Sequence, residues 1–241
     1  LDTSAWADGP HDVTVVGERD FPSSLVGRMS TTIVPGAPVL TDFGSTFGSG
    51  TATHHLTLYR SGSGALVSPR LVLTAQHVIA GRNGAAPKLE VEGPDGRRHP
   101  ATIALAVPPH EVELTGGLPP PAAAATHSDV ALLRLEVPLG RRYAQVDLPP
   151  APVPCEGKSA FVLVHFPGGK ASGISFGEID RSDPCALRQA HTVKAANGSS
   201  GGPGFDNKFR FLGLHQGRMG QVKRIVPFEQ AFDFLGHLFV R

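Results

Sequence analysis

The chain has 241 residues, of which 40% are hydrophobic and 18% charged, with 29 glycines, 22 prolines, two cysteines and a net charge of +1. That length suits one large domain or two small ones with a real core. The near-zero charge gives no electrostatic footprint for nucleic acid or anionic lipid, no run is long enough for a membrane-spanning helix, and two cysteines exclude a disulfide scaffold.

Residues 1–50 show weak periodicity and many Gly, Pro, Ser and Thr residues, and are expected to form an N-terminal extension packing on the body. The chain begins at Leu1, as expected of a processed product or an excised piece of a larger parent polypeptide with other domains. From His54 onward the pattern changes to short apolar or β-branched runs separated by turn residues: "HHLTLYR", "GALVSP", "RLVLT", "LEVEG", "PATIALAV" and "DVALLRLEV". The Pro/Ala-rich stretch 108–128 is expected to be a long surface loop, and the Pro-rich stretch 138–154 a connection between two β subdomains. Strand-like runs resume at "SAFVLVHF", "SGISFGEI" and "FRFLGLHQG". After Pro227, residues Phe228, Ala231, Phe232, Leu235 and Phe239 mark one apolar face of a C-terminal helix. Many short strands with turn chemistry between them predict an all-β sandwich or barrel, and two subdomains of similar size are compatible with an old duplication.

Three short stretches carry residue types that belong together chemically. His77 follows a strand-like run in "RLVLTAQHVIAG", Asp129 precedes an apolar strand in "THSDVALLRL", and Ser200 lies in "KAANGSSGGPGF". Each alone has an ordinary explanation: one of eleven histidines, a strand cap, a flexible linker. Together they supply what serine nucleophilic catalysis needs: a base for the hydroxyl proton, a carboxylate that fixes the base's tautomer, and small residues that hold oxyanion donors. Gly198 permits a backbone conformation that turns its N–H toward that of Ser200.

In "LTAQHV", "SDVALLRL" and "GSSGGP" the chain resembles the trypsin-like (chymotrypsin-fold) serine proteases of bacterial type, with all three motifs in the family's order across about residues 50–240. The resemblance implies two six-stranded antiparallel β-barrels with a cleft between them and a C-terminal α-helix. The first barrel would span 51–140 and the second, with the helix, 141–241. It also implies that His77 is the general base, Asp129 its orienting partner and Ser200 the nucleophile, with Gly198 and Ser200 amides as the oxyanion hole. Animal members place Asp before the nucleophile to pair with a freed N-terminus. Here that position is Ser199, and Leu1 does not open an Ile-Val-Gly-Gly-like sequence, so activation by terminus insertion is not expected.

"FLGLHQG" is similar to the strand of bacterial glutamyl endopeptidases and viral chymotrypsin-like cysteine proteases in which a histidine contacts a Glu or Gln side chain. That likeness makes His215 a substrate contact. Lys194 stands where trypsins hold the acid that selects Lys or Arg, and a cation there reverses the preference. A Glu, Asp or Gln residue before the scissile bond is therefore expected. Ala195 replaces the Thr or Ser of glutamyl endopeptidases, and Asn197, Gly198, Gln216, Gly217 and Arg218 are expected near the substrate backbone.

"FPGGKASG" lacks the first Gly and final Ser/Thr of a phosphate loop and is better read as a hairpin tip, with 158–165 pairing with 172–179. Cys155 and Cys185 would then lie near each other, and whether they form a disulfide stays open. No cofactor is expected and no metal, since adjacent His54 and His55 face opposite sides of a strand. The expected partner is a protein or peptide substrate, with neither nucleic acid nor membrane involved. Compartment stays open between an intracellular bacterial module and a secreted or periplasmic enzyme, with a slight lean to the first. Two other functions compete with an endopeptidase: a silent peptide-binding module on the protease fold, and a protease acting mainly on its own precursor.

Overall fold

A computed structural model describes residues 26–33, 58–79, 88–93, 97–114, 117–123, 126–139, 146–151, 153–154, 157–167, 173–183, 186–219 and 222–230. Six strands close a first antiparallel barrel: β1 (Val26–Ile33), β2 (Leu58–Ser68), β3 (Leu71–Ala75), β4 (Lys88–Glu92), β5 (Arg98–Val107) and β6 (Val130–Leu135). Another six close a second: β7 (Gly157–His165), β8 (Gly173–Arg181), β9 (Gln189–His191), β10 (Pro203–Phe205), β11 (Phe211–Met219) and β12 (Val222–Pro227). Around the first barrel the order is β1-β2-β3-β6-β5-β4, and the second repeats it as β7-β8-β9-β12-β11-β10. Closure leaves no free sheet edge in either barrel.

The strands with runs of apolar residues are buried on both faces, and their two faces serve different cores. Along β3 and β6, Val72, Ala131, Leu133 and Leu135 fill the first barrel with Leu89 and Val91. The alternate positions, Leu73, Val130 and Leu132, point instead toward Val162, Val164, Phe205, Phe211 and Val226 of the second barrel. On β7 the same period-two split sends Phe161 and Leu163 into the second barrel's interior with Ile179, Leu212 and Ile225. A third apolar core thus glues the barrels together, and each fully buried Leu or Phe in it contributes about 1.5–3 kcal/mol.

The hairpin β7–β8 forms as expected, one residue off the expected register, with Gly157 opposite Arg181 and His165 opposite Gly173. Two other expectations need revision. Residues 26–33 fall within the stretch read as an extension, yet they form the strand that joins β2 to β4. Their Ser/Thr-rich sequence carries little apolar alternation, so periodicity missed them. The stretch read as a surface loop contains the short helix α2 (Glu111–Leu114), and Glu113 is 0% exposed. A single acid in a Pro/Ala-rich run gives no warning of burial, because burial depends on partners far away in sequence. Helical backbone begins at Phe228 as expected, while residues 231–241, Cys155, Cys185, His54 and His55 lie outside the described residues.

Candidate active site

β3 pairs with β6 up to Ala75 and Val130, and one further backbone bond, Gln76 N–H to the Asp129 carbonyl at 3.1 Å, carries the pairing past the strand ends. The chain then turns into the helical turn α1 (Gln76–Ile79), anchored by buried Val78 and Ile79, which fixes His77 over Asp129. The Asp129 carboxylate accepts the His77 backbone N–H at 2.9 Å and meets the His77 Nδ1 at 2.8 Å. Asp129 is 0% exposed and sits at φ 52°, a left-handed backbone conformation that Asp tolerates better than most residues. Such conformations concentrate at sites whose surroundings over-determine them.

The Ser200 loop is pinned from both barrels. Its Ser200 carbonyl accepts the Ser63 N–H of β2 at 2.7 Å, and its Gly198 carbonyl accepts the Ser63 hydroxyl at 2.7 Å. From the second barrel, Gly201 N–H donates to the His215 carbonyl at 2.7 Å. Gly198 and Gly201 take φ 90° and 81°. At Gly201 a Cβ would lie 2.2 Å from the Ser63 carbonyl oxygen and 2.3 Å from the Thr74 Oγ1. Only glycine fits there. Among the described residues, the N–H groups of Gly198 and Ser200 have no acceptor within the protein. The linker reading of this stretch therefore fails on geometry: its small residues are a rigid turn.

At Ser199, just before Ser200, the structure shows a neutral anchor. The Ser199 Oγ accepts the Ala196 N–H at 3.1 Å and bonds His165 Nδ1 at 2.6 Å, while His165 Nε2 bonds Ser175 at 2.9 Å. Burial pushes the His165 imidazole down to about 4, so it is uncharged near neutrality.

A β-bulge between His215 and Gly217 leaves Gln216 without a partner on β12. Freed from the ladder, its backbone carbonyl accepts the Ser200 hydroxyl at 3.2 Å. Its side-chain amide turns inward and donates to Asp129 Oδ2 at 3.0 Å. The same nitrogen donates to Glu113 Oε1 at 3.0 Å, and Glu113 is ion-paired to Arg188, with both side chains 0% exposed. Sequence reasoning placed Gln216 near substrate but missed Ser63, Glu113 and Arg188, none of which lies in a recognisable motif.

His215 is 3% exposed and bonds His191 Nε2 through its Nδ1 at 3.0 Å. Burial first, then the charges of neighbouring histidines and Lys223, holds His215 well below the usual imidazole range. Burial and nearby Lys223 push His191 to about 3. Lys223 is itself lowered, by burial and then by Arg218 and Lys194, so cations gather around this histidine pair. Lys194 and Asn197 are exposed, Gly217 is half-buried at φ 146°, and Ala195 packs on the second barrel's core. No metal-binding cluster occurs among the described residues.

Residues 62–214 match the family model described as trypsin-like peptidase domain. A protein named "Probable serine protease" from Lysobacter enzymogenes is 31% identical over 182 residues, 66% of this chain and 28% of that one. The chain thus spans under a third of that relative's length. Among solved structures, the active form of the Rv3671c protease from M. tuberculosis aligns with a TM-score of 0.61 at 17% identity, over 98% of this chain and 96% of that one. A serine endoprotease from Yersinia pestis aligns with a TM-score of 0.56 at 14% identity, over 90% and 63% of the respective chains. At such identities these two matches speak for the fold.

Proposed function

The chain belongs to the trypsin-like peptidase family, and from that premise we propose that it is a serine endopeptidase with His77, Asp129 and Ser200 as its triad. One observation carries the reading: a single buried carboxylate, Asp129, receives both the backbone N–H and the Nδ1 of His77. That arrangement fixes the tautomer with Nδ1 protonated and leaves Nε2 as the base. The Ser200 hydroxyl exchanges its bond to the Gln216 carbonyl for one to His77 Nε2, by rotation about χ1. His77 takes the hydroxyl proton as Ser200 Oγ adds to the scissile carbonyl carbon. The carbonyl oxygen becomes an oxyanion held by the Gly198 and Ser200 N–H groups, a type of interaction worth about 10²–10³ in rate per donor. His77 passes the proton to the leaving amine, the C–N bond breaks, and an acyl-enzyme remains. Water, deprotonated by His77, then releases the acid and restores Ser200.

For substrate choice the residues favour an acidic or amide side chain, Glu, Asp or Gln, before the scissile bond. If His191 donates to His215 Nδ1, the His215 Nε2 carries the proton and becomes a donor. Lys194, Arg218 and Lys223 add a positive field that favours the acids. Ala195 and Asn197 would line the approach, and Gly217 would meet the substrate backbone.

A fluorophosphonate probe tests the reaction, and a peptide-library profile tests the preference. The expected result is labelling of wild type but not of Ser200→Ala, with cleavage mainly after Glu, Asp or Gln. Absence of labelling in wild type would favour a silent peptide-binding module. Dominant cutting after Arg, Lys or aromatic residues would overturn the preference.

A further inference from the structure

Behind Asp129 lies a buried charge network that spans both barrels. Glu113 comes from α2 on the first-barrel side, Arg188 from the segment leading into β9, and Gln216 from the β11 bulge. Arg188 forks onto Glu113, with Nε 2.7 Å from Oε1 and NH2 2.8 Å from Oε2. The remaining Glu113 sites accept the His110 N–H at 2.9 Å and the Gln216 amide at 3.0 Å. Arg188 also donates to the Gln216 Oε1 at 3.1 Å, the His127 carbonyl at 3.1 Å and the Leu187 carbonyl at 2.6 Å. Both Glu113 oxygens, all three Arg188 nitrogens and both ends of the Gln216 amide are thus engaged. Such added hydrogen bonds are what let a buried ion pair hold its geometry.

The orientation of the Gln216 amide follows from these charges. Its oxygen faces the guanidinium and its nitrogen faces two carboxylates. Without a cation, two buried carboxylates reaching for one amide nitrogen would compete for a proton. Arg188 neutralises Glu113 and leaves Asp129 as the carboxylate that faces His77.

We propose that Glu113 and Arg188, acting through Gln216, are positioning residues that fix the Asp129 carboxylate against His77 and keep the pair charge-balanced. The inference rests on the endopeptidase reading for its catalytic meaning. Its geometry is independent of that reading. The other titratable groups facing this network are Arg224, lowered by burial first with Glu113 raising and Arg188 lowering it, and His215, lowered by burial first and in smaller part by His77. The His127 and His110 rings stack edge-on beside it at 4.9 Å. From β2 and β3, Ser63 and Thr74 are buried and uncharged.

The test measures the His77 titration by NMR in wild type, Glu113→Gln and the double variant Glu113→Gln/Arg188→Gln, alongside fluorophosphonate labelling rate and peptide hydrolysis against pH. Glu113→Gln leaves the Arg188 cation unbalanced, which disfavours the His77 imidazolium. The His77 midpoint, and the acid limb of the pH–rate curve, are expected to fall by roughly 0.5–1 pH unit. The double variant removes both charges and is expected to return the midpoint to the wild-type value. If Glu113→Gln does not fold, Gln216→Met, which strands no new charge, is expected to lower kcat about tenfold with KM unchanged. A folded Glu113→Gln with an unmoved His77 midpoint, or a double variant that fails to restore it, overturns the proposal. So does a Gln216→Met variant with wild-type kcat. The expected His77 shifts in the two variants, together with a wild type that never labels, would instead overturn the endopeptidase reading and leave the positioning network standing.

Discussion

The Ser63 hydroxyl of the first barrel donates to the Gly198 carbonyl of the second at 2.7 Å and accepts the Phe166 N–H at 2.9 Å. Ser63 thereby ties the candidate oxyanion loop to both barrels, and its own carbonyl is held by the Thr74 hydroxyl at 2.9 Å. Ser63→Ala would remove the bonds to the Gly198 carbonyl and from the Phe166 N–H, at a cost of about 1–3 kcal/mol each at most. Denaturant unfolding is expected to show that loss. The fluorophosphonate labelling rate is expected to fall with it, because the loop loses its grip on Gly198. Unchanged stability would show that water replaces the hydroxyl without penalty.

Gly201→Ala is expected to be far more damaging. Besides φ 81°, the added methyl would meet the Ser63 carbonyl and Thr74 Oγ1 inside normal contact distance. The backbone term alone costs about 1–2 kcal/mol, and overpacking adds about 1–3 kcal/mol. Soluble yield and thermal midpoint should both drop. Gly217→Ala, at φ 146°, loses the same kind of backbone term and is the comparison variant.

Acid should destabilise the second barrel. His165 is pushed to about 4 and His191 to about 3 from an ordinary 6.5, both mainly by burial, and His215 falls in the same direction. In each case the unfolded chain binds a proton that the folded chain refuses. Stability from these groups is complete above about pH 6.5 and declines as pH falls toward 4. Each contributes a slope of about 1.4 kcal/mol per pH unit in that window. Unfolding curves between pH 7 and 4 check this, and the slope should shrink in His165→Asn.

At the pocket, His215→Val is expected to lower kcat/KM for a Glu-containing peptide roughly 10–100-fold while leaving a matched apolar peptide nearly unchanged. Lys194→Glu should lower cleavage after Glu more than after Gln, since it removes and reverses charge without touching the histidine. Equal losses on all peptides would assign both residues to folding and not to recognition.

The parts legible in sequence were those set by local pattern. The runs around Leu73, Leu132 and Leu163 announced strands because apolar residues on both faces have few other uses. His77, Asp129 and Ser200 stood in short motifs whose neighbours are dictated by backbone geometry. What was not legible depends on distant partners. β9, β10 and β12 are short or polar strands that exist because a barrel needs closing. Glu113 and Arg188 look like ordinary surface charges until the fold brings them within 2.7 Å across the inter-barrel seam. Gln216 turned inward because of a one-residue bulge, an event with no signature in composition.

The strand Val26–Ile33 has a consequence for how the chain can be handled. All eight of its residues pair with β2 on one side, and residues 28–32 pair with β4 on the other. A fragment trimmed to residue 51 would keep His77, Asp129 and Ser200 yet expose two raw sheet edges on the first barrel. Such edges recruit strands from other molecules. Trimming of that kind would turn a self-contained barrel into a seed for aggregation, and adding the missing segment back as a separate peptide should restore solubility by filling the gap.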